Sequence, residues 1–435
     1  GETYICGNPP YLGSTWQSKE QKADLAGIFN KYTKTWKTLD YVAGWFMKAA
    51  EYGKSTNAAF AFVSTNSLCQ GQQVPFLWPY LFETGHKINF AYQSFKWKNL
   101  ASHNAGVIVT IVGLSKNNLN SPLLYELMGN EENNIRIVDE INPYLVAGPT
   151  VIVNKAMKPL NGLNAMDFGN KANDGGHLTL TSDELSKLNL KEEEKQRFVK
   201  RFYGSKEFIN GETRYCIWIE DEDYADAIKN RSLKNQFDKV KESRLSSRDA
   251  YAQSLAKRPH QFKTPRITKN HVIVTPRVSS ENRPYLPVGL MGNNSIIGDR
   301  NFALYDTPIW NLALIASRLH LVWIGTVCVR LGVSFSYSNT LGWNTFPIPY
   351  LTEKNKNDLT QCTEEILIAR ERHFPATIAD LYDSEIMPED LRQAHERNDE
   401  ILERIYIGRR FKNDTERLEK LFELYAQMTS KDKVV

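Results

Sequence analysis

Thr3-Tyr4-Ile5-Cys6-Gly7-Asn8-Pro9-Pro10-Tyr11 is the stretch that decides the fold. Residues 3–6 read as a short buried strand ending at Gly7, and Asn8-Pro9-Pro10-Tyr11 follows it directly. Two prolines hold the backbone rigid and extended. The Pro9 carbonyl then points outward with no competing local donor, and the Asn8 side-chain oxygen points the same way. Together they can accept both hydrogens of a planar amino group. That draws the nitrogen toward the geometry of a nucleophile without a formal base. Tyr11 offers an aromatic face for a base pulled out of a duplex. Neither a metal nor a covalent intermediate is needed. A plain Asn-Pro turn has the same residues, so the elements that follow must separate the two readings.

Those elements read as an α/β series. Tyr41, Val42, Trp45, Phe46 and Ala49 fall at helical spacing, predicting a helix over 39–52 that Gly53 stops. Residues 58–63 are a short apolar run, hence a strand. A short helix is expected near 75–83 with Pro75 at its start, then an alternating strand over 87–95. Residues 105–114 are β-branched and apolar, a buried strand. The last pair of strands can be antiparallel.

From about residue 131 the texture changes, with shorter, more polar segments richer in Gly and Pro. Helices are expected over 183–202 and 222–256, strands near 150–154, 214–219 and 271–275, and a buried helix over 310–325. Pro347 and Pro349 close this region. The remainder is helical. Leu391, Ala394, Leu402 and Ile405 line one helix face behind Pro388-Glu389-Asp390, and Leu418, Leu421, Phe422, Tyr425 and Met428 line another.

The 435 residues exceed one ordinary core. No apolar run is long enough to cross a bilayer, and the N-terminus lacks the zones of a signal peptide. It opens abruptly in a strand, so the natural start is expected upstream. Cys6, Cys69, Cys216, Cys328 and Cys362 form no CxxC pair, and no histidine stands at zinc-ligand spacing from another ligand. Free thiols and no metal are expected. The net charge is only +4, yet residues 228–300 carry fifteen Lys/Arg against five Asp/Glu. That excess suits either a phosphate-binding face or a solvated surface helix.

Asn8-Pro9-Pro10-Tyr11 resembles motif IV of amino-methyltransferases, and the order of elements after it resembles the second half of the class I methyltransferase fold, whose last strand is antiparallel. Leu39-Asp40-Tyr41 resembles the family's next motif, beside the cofactor. Ser64-Thr65-Asn66 fits the loop lining the target-base pocket. The rest of the chain narrows the likeness. Asp174-Gly175-Gly176-His177-Leu178, Gly204-Ser205-Lys206-Glu207-Phe208-Ile209 and Arg214-Tyr215-Cys216-Ile217-Trp218 look like the target-recognition domain of MmeI-like enzymes. So do Lys257-Arg258-Pro259-His260-Gln261-Phe262 and the run Pro276-Arg277-Val278-Ser279-Ser280-Glu281-Asn282-Arg283. Tyr337-Ser338 with Asn344-Thr345-Phe346-Pro347-Ile348-Pro349 matches as well, and Ala376-Thr377-Ile378-Ala379-Asp380-Leu381-Tyr382-Asp383 resembles their C-terminal segment.

The resemblance implies an α/β chain in three parts: a partial class I (Rossmann-like) methyltransferase sheet lacking its first half over 1–130, a mixed α/β target-recognition domain over 131–350, and a helical C-terminal segment over 351–435. It implies a site-specific adenine DNA methyltransferase of a restriction-modification system. Asn8, Pro9, Pro10 and Tyr11 would be catalytic, with Asp40 and Tyr41 peripheral to the cofactor. Lys257, Arg258, Arg277, Ser279, Arg283, Asp299, Arg300, Ser334 and Ser336 would bind DNA, with Gly332 beside the last two. S-adenosylmethionine would serve the full-length enzyme and none would bind this fragment, since no strand is followed by a glycine-rich turn and a helix. The implied partners are double-stranded DNA, the missing N-terminal half of the domain and, in such enzymes, a nuclease domain. The setting is the bacterial cytoplasm. As a fragment the chain is expected to be inactive, with strand 3–6 a bare sheet edge. His260 and His271 read as structural, and Trp218, Trp310 and Trp323 as core. Two other readings stay open: a methyltransferase of protein glutamine or RNA amino groups, and a non-enzymatic DNA-specificity module.

Overall fold

In a computed structural model, which describes residues 3–96, 108–116, 121–127, 133–331 and 334–430, β1 (Tyr4–Gly7) lies parallel to β2 (Ala59–Thr65). Tyr4 stands opposite Ala59 and Gly7 opposite Phe62. A parallel pair needs a long crossover. It is made by α1 (Lys19–Phe29), a 3-10 turn at Thr35–Thr38 and α2 (Ala43–Ser55). After α3 (Gln73–Glu83), β3 (Lys87–Lys96) and β4 (Ile108–Ser115) complete the anticipated strands. β4 inserts between β2 and β3, antiparallel to both. β5 (Leu123–Leu127) and β6 (Asn133–Ile137) extend the sheet to the order β1-β2-β4-β3-β5-β6.

Gly53 does not stop α2, as the sequence suggested. It lies inside the helix, where a Cβ would sit 2.5 Å from the Nε2 of buried His86. Close packing, not termination, explains the glycine. The start is also later than expected, because residues 39–42 are held by loop contacts before the helix begins. α1 escaped the reading, although Ser18 and Gln21 form a reciprocal capping box at its start.

The chain folds into two compact units. The first comprises Gly1–Gly162, Val322–Pro349 and Phe411–Val435; the second comprises Leu163–Leu321 and Tyr350–Arg410. The second holds two four-stranded sheets. In one, β7 (Asp167–Phe168) pairs β15 (Asn301–Tyr305), which pairs β11 (His271–Pro276), which pairs β13 (Gly289–Gly292). In the other the order is β14 (Ser295–Ile297), β9 (Val199–Tyr203), β10 (Arg214–Ile217), β8 (Thr179–Thr181). The expected helix over 183–202 is therefore wrong in its last turn. Helices α4 (Ser182–Lys187) and α5 (Glu192–Phe198) give way at Val199 to β9 without a glycine or proline between them. Tertiary pairing with β10 overrides the local signal. The predicted strand near 150–154 is absent: these residues are irregular, with the Val153 N–H donating to the Tyr144 hydroxyl at 2.9 Å.

The helix expected over 222–256 is three, α7 (Asp221–Ala227), α8 (Arg231–Leu245) and α9 (Ala250–Ser254), ending in a 3-10 turn. Asn230 and Asp249 break the run as side-chain N-caps. The apolar stretch 310–325 is likewise two helices, α10 (Trp310–Ile315) and α11 (Arg318–Val327), and within α11 the chain passes back to the first unit. The first unit takes strands Arg330–Leu331 and Ser334–Ser336, and its last helix is Asp414–Ser430. The C-terminal helices of the second unit include Glu353–Glu371 and Glu389–Ile407.

Candidate functional site

Parallel neighbours such as β1 and β2 deliver their C-terminal loops to the same sheet edge. The Asn8-Pro9-Pro10-Tyr11 loop leaves β1 there, and β2 ends there in Ser64-Thr65, with Asn66 opening a 3-10 turn (Asn66–Cys69) in place of the loop expected over 64–66. Asn8 and Pro10 are exposed, Pro9 is buried and Tyr11 is half-buried. The Asn8 amide, the Pro9 carbonyl and the Tyr11 hydroxyl make no hydrogen bond among the described residues. Two acceptor oxygens and an aromatic ring are thus left unengaged on a short loop.

The loop's far end is fixed at Leu12. Its N–H donates to the Asp40 carboxylate at 2.8 Å, while its carbonyl accepts from the Gln17 amide at 2.8 Å and the Tyr41 N–H at 3.0 Å. Asp40 is buried and also accepts from the Val42 N–H at 3.3 Å and the Thr65 hydroxyl at 3.4 Å. Burial pushes its carboxyl above the usual aspartate range, against the pull of the Leu12 and Val42 N–H groups. The carboxylate therefore ties together the β1 loop, the start of α2 and the end of β2. The Tyr41 hydroxyl donates to Asp24 at 2.8 Å. Gln17 and Gln73 were not singled out in the sequence. Gln17 bridges the Leu12 and Leu39 carbonyls, and Gln73 accepts from the Asp40 N–H at 3.0 Å and donates to the Thr38 carbonyl at 2.6 Å. Neither carries a local signature, since a bridging glutamine is defined only by what folds beside it.

In the second unit, Arg277, Asp299 and Arg300 come together. The Arg277 guanidinium donates to the Asp299 carbonyl at 3.2 Å and lies 5.0 Å from the Phe168 ring and 5.5 Å from the Phe302 ring. The Arg277 backbone N–H donates to the Arg300 carbonyl, which also accepts from the Ser205 hydroxyl at 2.8 Å. The Arg300 side chain is exposed and has no ion-pair partner among the described residues. Asp299 and Arg300 border a cavity of about 440 Å³ with Ser205, Lys206 and Arg214. Ser279 and Arg283 form a separate pair: buried Ser279 accepts from the half-buried Arg283 guanidinium at 3.2 Å. Lys257 and Arg258 are exposed on the turn after α9, where Arg258 donates to the Gln261 side chain at 2.9 Å. Ser334 and Ser336 lie in the first unit, half-buried on their short strand. Gly332 lies outside the described residues.

Not every cation of the 228–300 run faces solvent. Arg244 is buried and donates to five carbonyls: Asn173, Ala172, Leu255, Arg258 and Gln261, at 2.6–3.2 Å. It pins the chain after α9 against residues 172–173. Lys229, Lys234 and Lys263 pair with carboxylates. His260 is buried, bonded to Asp221 at 2.8 Å and stacked on Tyr224, and His271 faces the Thr307 carbonyl at 2.7 Å. Trp218 and Trp323 are core, whereas Trp310 is half-buried. Cys6 is exposed and the other four cysteines are buried thiols.

Comparison with known proteins matches this architecture in order. Three family models fit consecutive stretches: the MmeI DNA-methyltransferase domain over residues 1–126, the MmeI target recognition domain over 147–350 and the MmeI C-terminal domain over 351–432. DNA methyltransferase A of Bacillus subtilis (strain 168) is 43% identical over 430 residues, covering 99% of this chain and 48% of that protein. The solved structure of the type IIL restriction-modification enzyme MmeI in complex with DNA superposes with a TM-score of 0.82 at 34% identity, covering 98% of this chain and 57% of that one. The chain thus spans about half the length of the relatives it matches. No described helix is long and apolar enough to cross a membrane. With three successive domain models and a superposition over 98% of its residues in agreement, the chain belongs to the MmeI family.

Proposed function

We propose that this chain carries the target-base pocket and the sequence-reading part of an enzyme that methylates the exocyclic amino group of adenine at a fixed DNA sequence, within a restriction-modification system. The supporting observation is the unengaged Asn8-Pro9-Pro10-Tyr11 loop on a backbone anchored through Leu12. The two amino hydrogens of an extruded adenine meet Asn8 Oδ1 and the Pro9 carbonyl, and the Tyr11 ring stacks on the base. As the nitrogen attacks and gains positive charge, the same oxygens stabilise it without reorganising. S-adenosylmethionine supplies the methyl group in the longer enzyme. Asp40 and Tyr41 are already engaged by Leu12, Val42, Thr65 and Asp24. They fit a peripheral role and do not by themselves make a cofactor cradle, so the chain is read as inactive without its upstream half.

In this reading residues 1–130 are the methyltransferase half, 131–350 the recognition domain and 351–435 a helical support. Arg300, exposed and unpaired by carboxylates, suits bidentate contact with guanine. Arg277 backs the Asp299–Arg300 turn. Lys257 and Arg258 suit phosphates, while Arg283, Ser334 and Ser336 contribute weaker polar contacts and buried Ser279 acts by holding Arg283.

Single-molecule sequencing of genomic DNA from cells expressing the full-length gene tests this. A modified adenine in one asymmetric motif, lost with Asn8→Ala, is the expected result. Intact protein with no modified base would overturn it and turn attention to protein glutamine and RNA amino groups. Mixing this chain with the upstream half tests the fragment reading: transfer should appear only in the mixture.

A further inference from the structure

The second unit contains an open groove of about 660 Å³ that involves none of the residues assigned above. Its lining includes Arg201, the central residue of β9, which stands opposite Tyr215 on one side and Ser295 on the other. The Arg201 guanidinium carbon is 5.4 Å from the Tyr215 ring and 5.7 Å from the Tyr203 ring. Two phenol-bearing side chains therefore flank one partly buried guanidinium. Lys195 adds a second cation, and Ser186 and Asn294 add neutral hydrogen-bonding groups.

The carboxylate of the lining is already engaged. Glu192, the one carboxylate in the lining, holds Lys195 at 3.2 Å. Nearby Arg197 is paired with both Asp223 and Asp226 at 2.6 Å. Arg201 has no carboxylate partner among the described residues. Desolvation acts against the Arg201 charge, but the Tyr203 and Tyr215 phenols outweigh it and hold the guanidinium in its charged form. A phosphodiester matches the planar fork of an arginine held against aromatic faces.

We propose that this groove binds the backbone of duplex DNA, with Arg201 on a phosphodiester and Lys195 beside a flanking phosphate. The proposal rests on the DNA-acting reading above and adds a contact surface to it. Such cations set register and affinity and carry no base information.

Duplex binding by the whole chain, followed by fluorescence anisotropy across a salt series, tests it. Arg201→Ala should make the slope of log K against log salt shallower by about 0.9, the value of one phosphate contact. That is roughly a three- to fourfold smaller affinity loss between 50 and 200 mM salt. Arg201→Lys should keep nearly the wild-type slope, which a purely structural arginine would not explain. If Arg201→Ala melts early, Lys195→Gln decides, with the same expected decrement. An unchanged slope in a folded variant overturns the groove and leaves the functional reading standing. Titration with inorganic phosphate that depends on Arg201, with an unchanged duplex slope, marks a small-anion site and also overturns it. A wild-type chain that binds no duplex at low salt removes the DNA reading and the groove together.

Discussion

The Asp40 carboxylate accepts the Leu12 N–H at 2.8 Å across twenty-eight residues of chain. It joins the end of the Asn8-Pro9-Pro10-Tyr11 loop to the start of α2, and the Thr65 contact carries the link to the end of β2. Asp40→Ala leaves the Leu12 and Val42 N–H groups without this acceptor, at about 1–3 kcal/mol for a buried unsatisfied donor. Urea unfolding should show that loss, and amide exchange at Leu12 should accelerate. Asp40→Asn keeps one acceptor oxygen and should lie between. Unchanged exchange at Leu12 in Asp40→Ala would show that the loop is held by other means.

Arg244→Met should destabilise the second unit by about 3–5 kcal/mol, because five carbonyl contacts lose their donor at a buried site. Lys241→Ala, an exposed change on the same helix, should stay within about 0.5 kcal/mol. Equal melting temperatures for the two variants would refute the structural role of Arg244.

Gly53→Ala tests packing against propensity. In an ordinary helix interior this change stabilises by about 1 kcal/mol. Here the new methyl meets His86, so a net loss of about 1–3 kcal/mol is expected. A rise in melting temperature would mean that the His86 ring moves aside freely.

His395 predicts the acid limb of stability. It is fully buried, stacked on Tyr285 at 4.1 Å, with Nδ1 3.2 Å from the Ala316 carbonyl and Nε2 2.7 Å from the Tyr382 hydroxyl. The carbonyl requires a proton on Nδ1, so Nε2 accepts from Tyr382, whose oxygen accepts in turn from Arg370 at 2.8 Å. Burial, with Arg370 nearby, lowers the imidazole from its usual 6.5 to about 3. The unfolded chain then binds a proton that the folded one refuses. The contribution is complete above pH 6.5 and is lost as pH falls toward 3, by up to about 1.4 kcal/mol per pH unit. His395→Gln should lower stability at neutral pH and flatten the decline between those limits. A parallel decline in both proteins would place the proton elsewhere.

β2 and β4 were legible as apolar, β-rich runs, β3 by its alternation, and the Asn8-Pro9-Pro10-Tyr11 loop because its residues form a local unit; β1 was legible as a strand but is not the buried one expected, since Tyr4 and Cys6 are exposed on it. The helix Glu389–Ile407 was legible with the Leu391 and Leu402 part of its buried face, and not with the polar part. Its buried face includes His395, Asn398, Asp399 and Glu403. Asn398 donates to the Ala313 carbonyl, and Asp399 accepts from the Arg318 N–H and the Tyr285 hydroxyl. Apolar periodicity cannot find a face whose partners are polar groups of distant elements. The charge tally failed at Arg244 for a related reason: counting cations assumes that they face water. At β9, pairing with β10 decided a segment whose own residues gave no break from the helix before it.

The first unit draws its core from both ends of the polypeptide. Phe422 stacks on Tyr144 at 5.0 Å and lies 5.2 Å from Trp323. During synthesis, the ribosome makes Tyr144 long before Phe422. The core around Tyr144 therefore stays incomplete until the helix Asp414–Ser430 has been made, so slow decoding of that helix should fall hardest on a segment translated long before it.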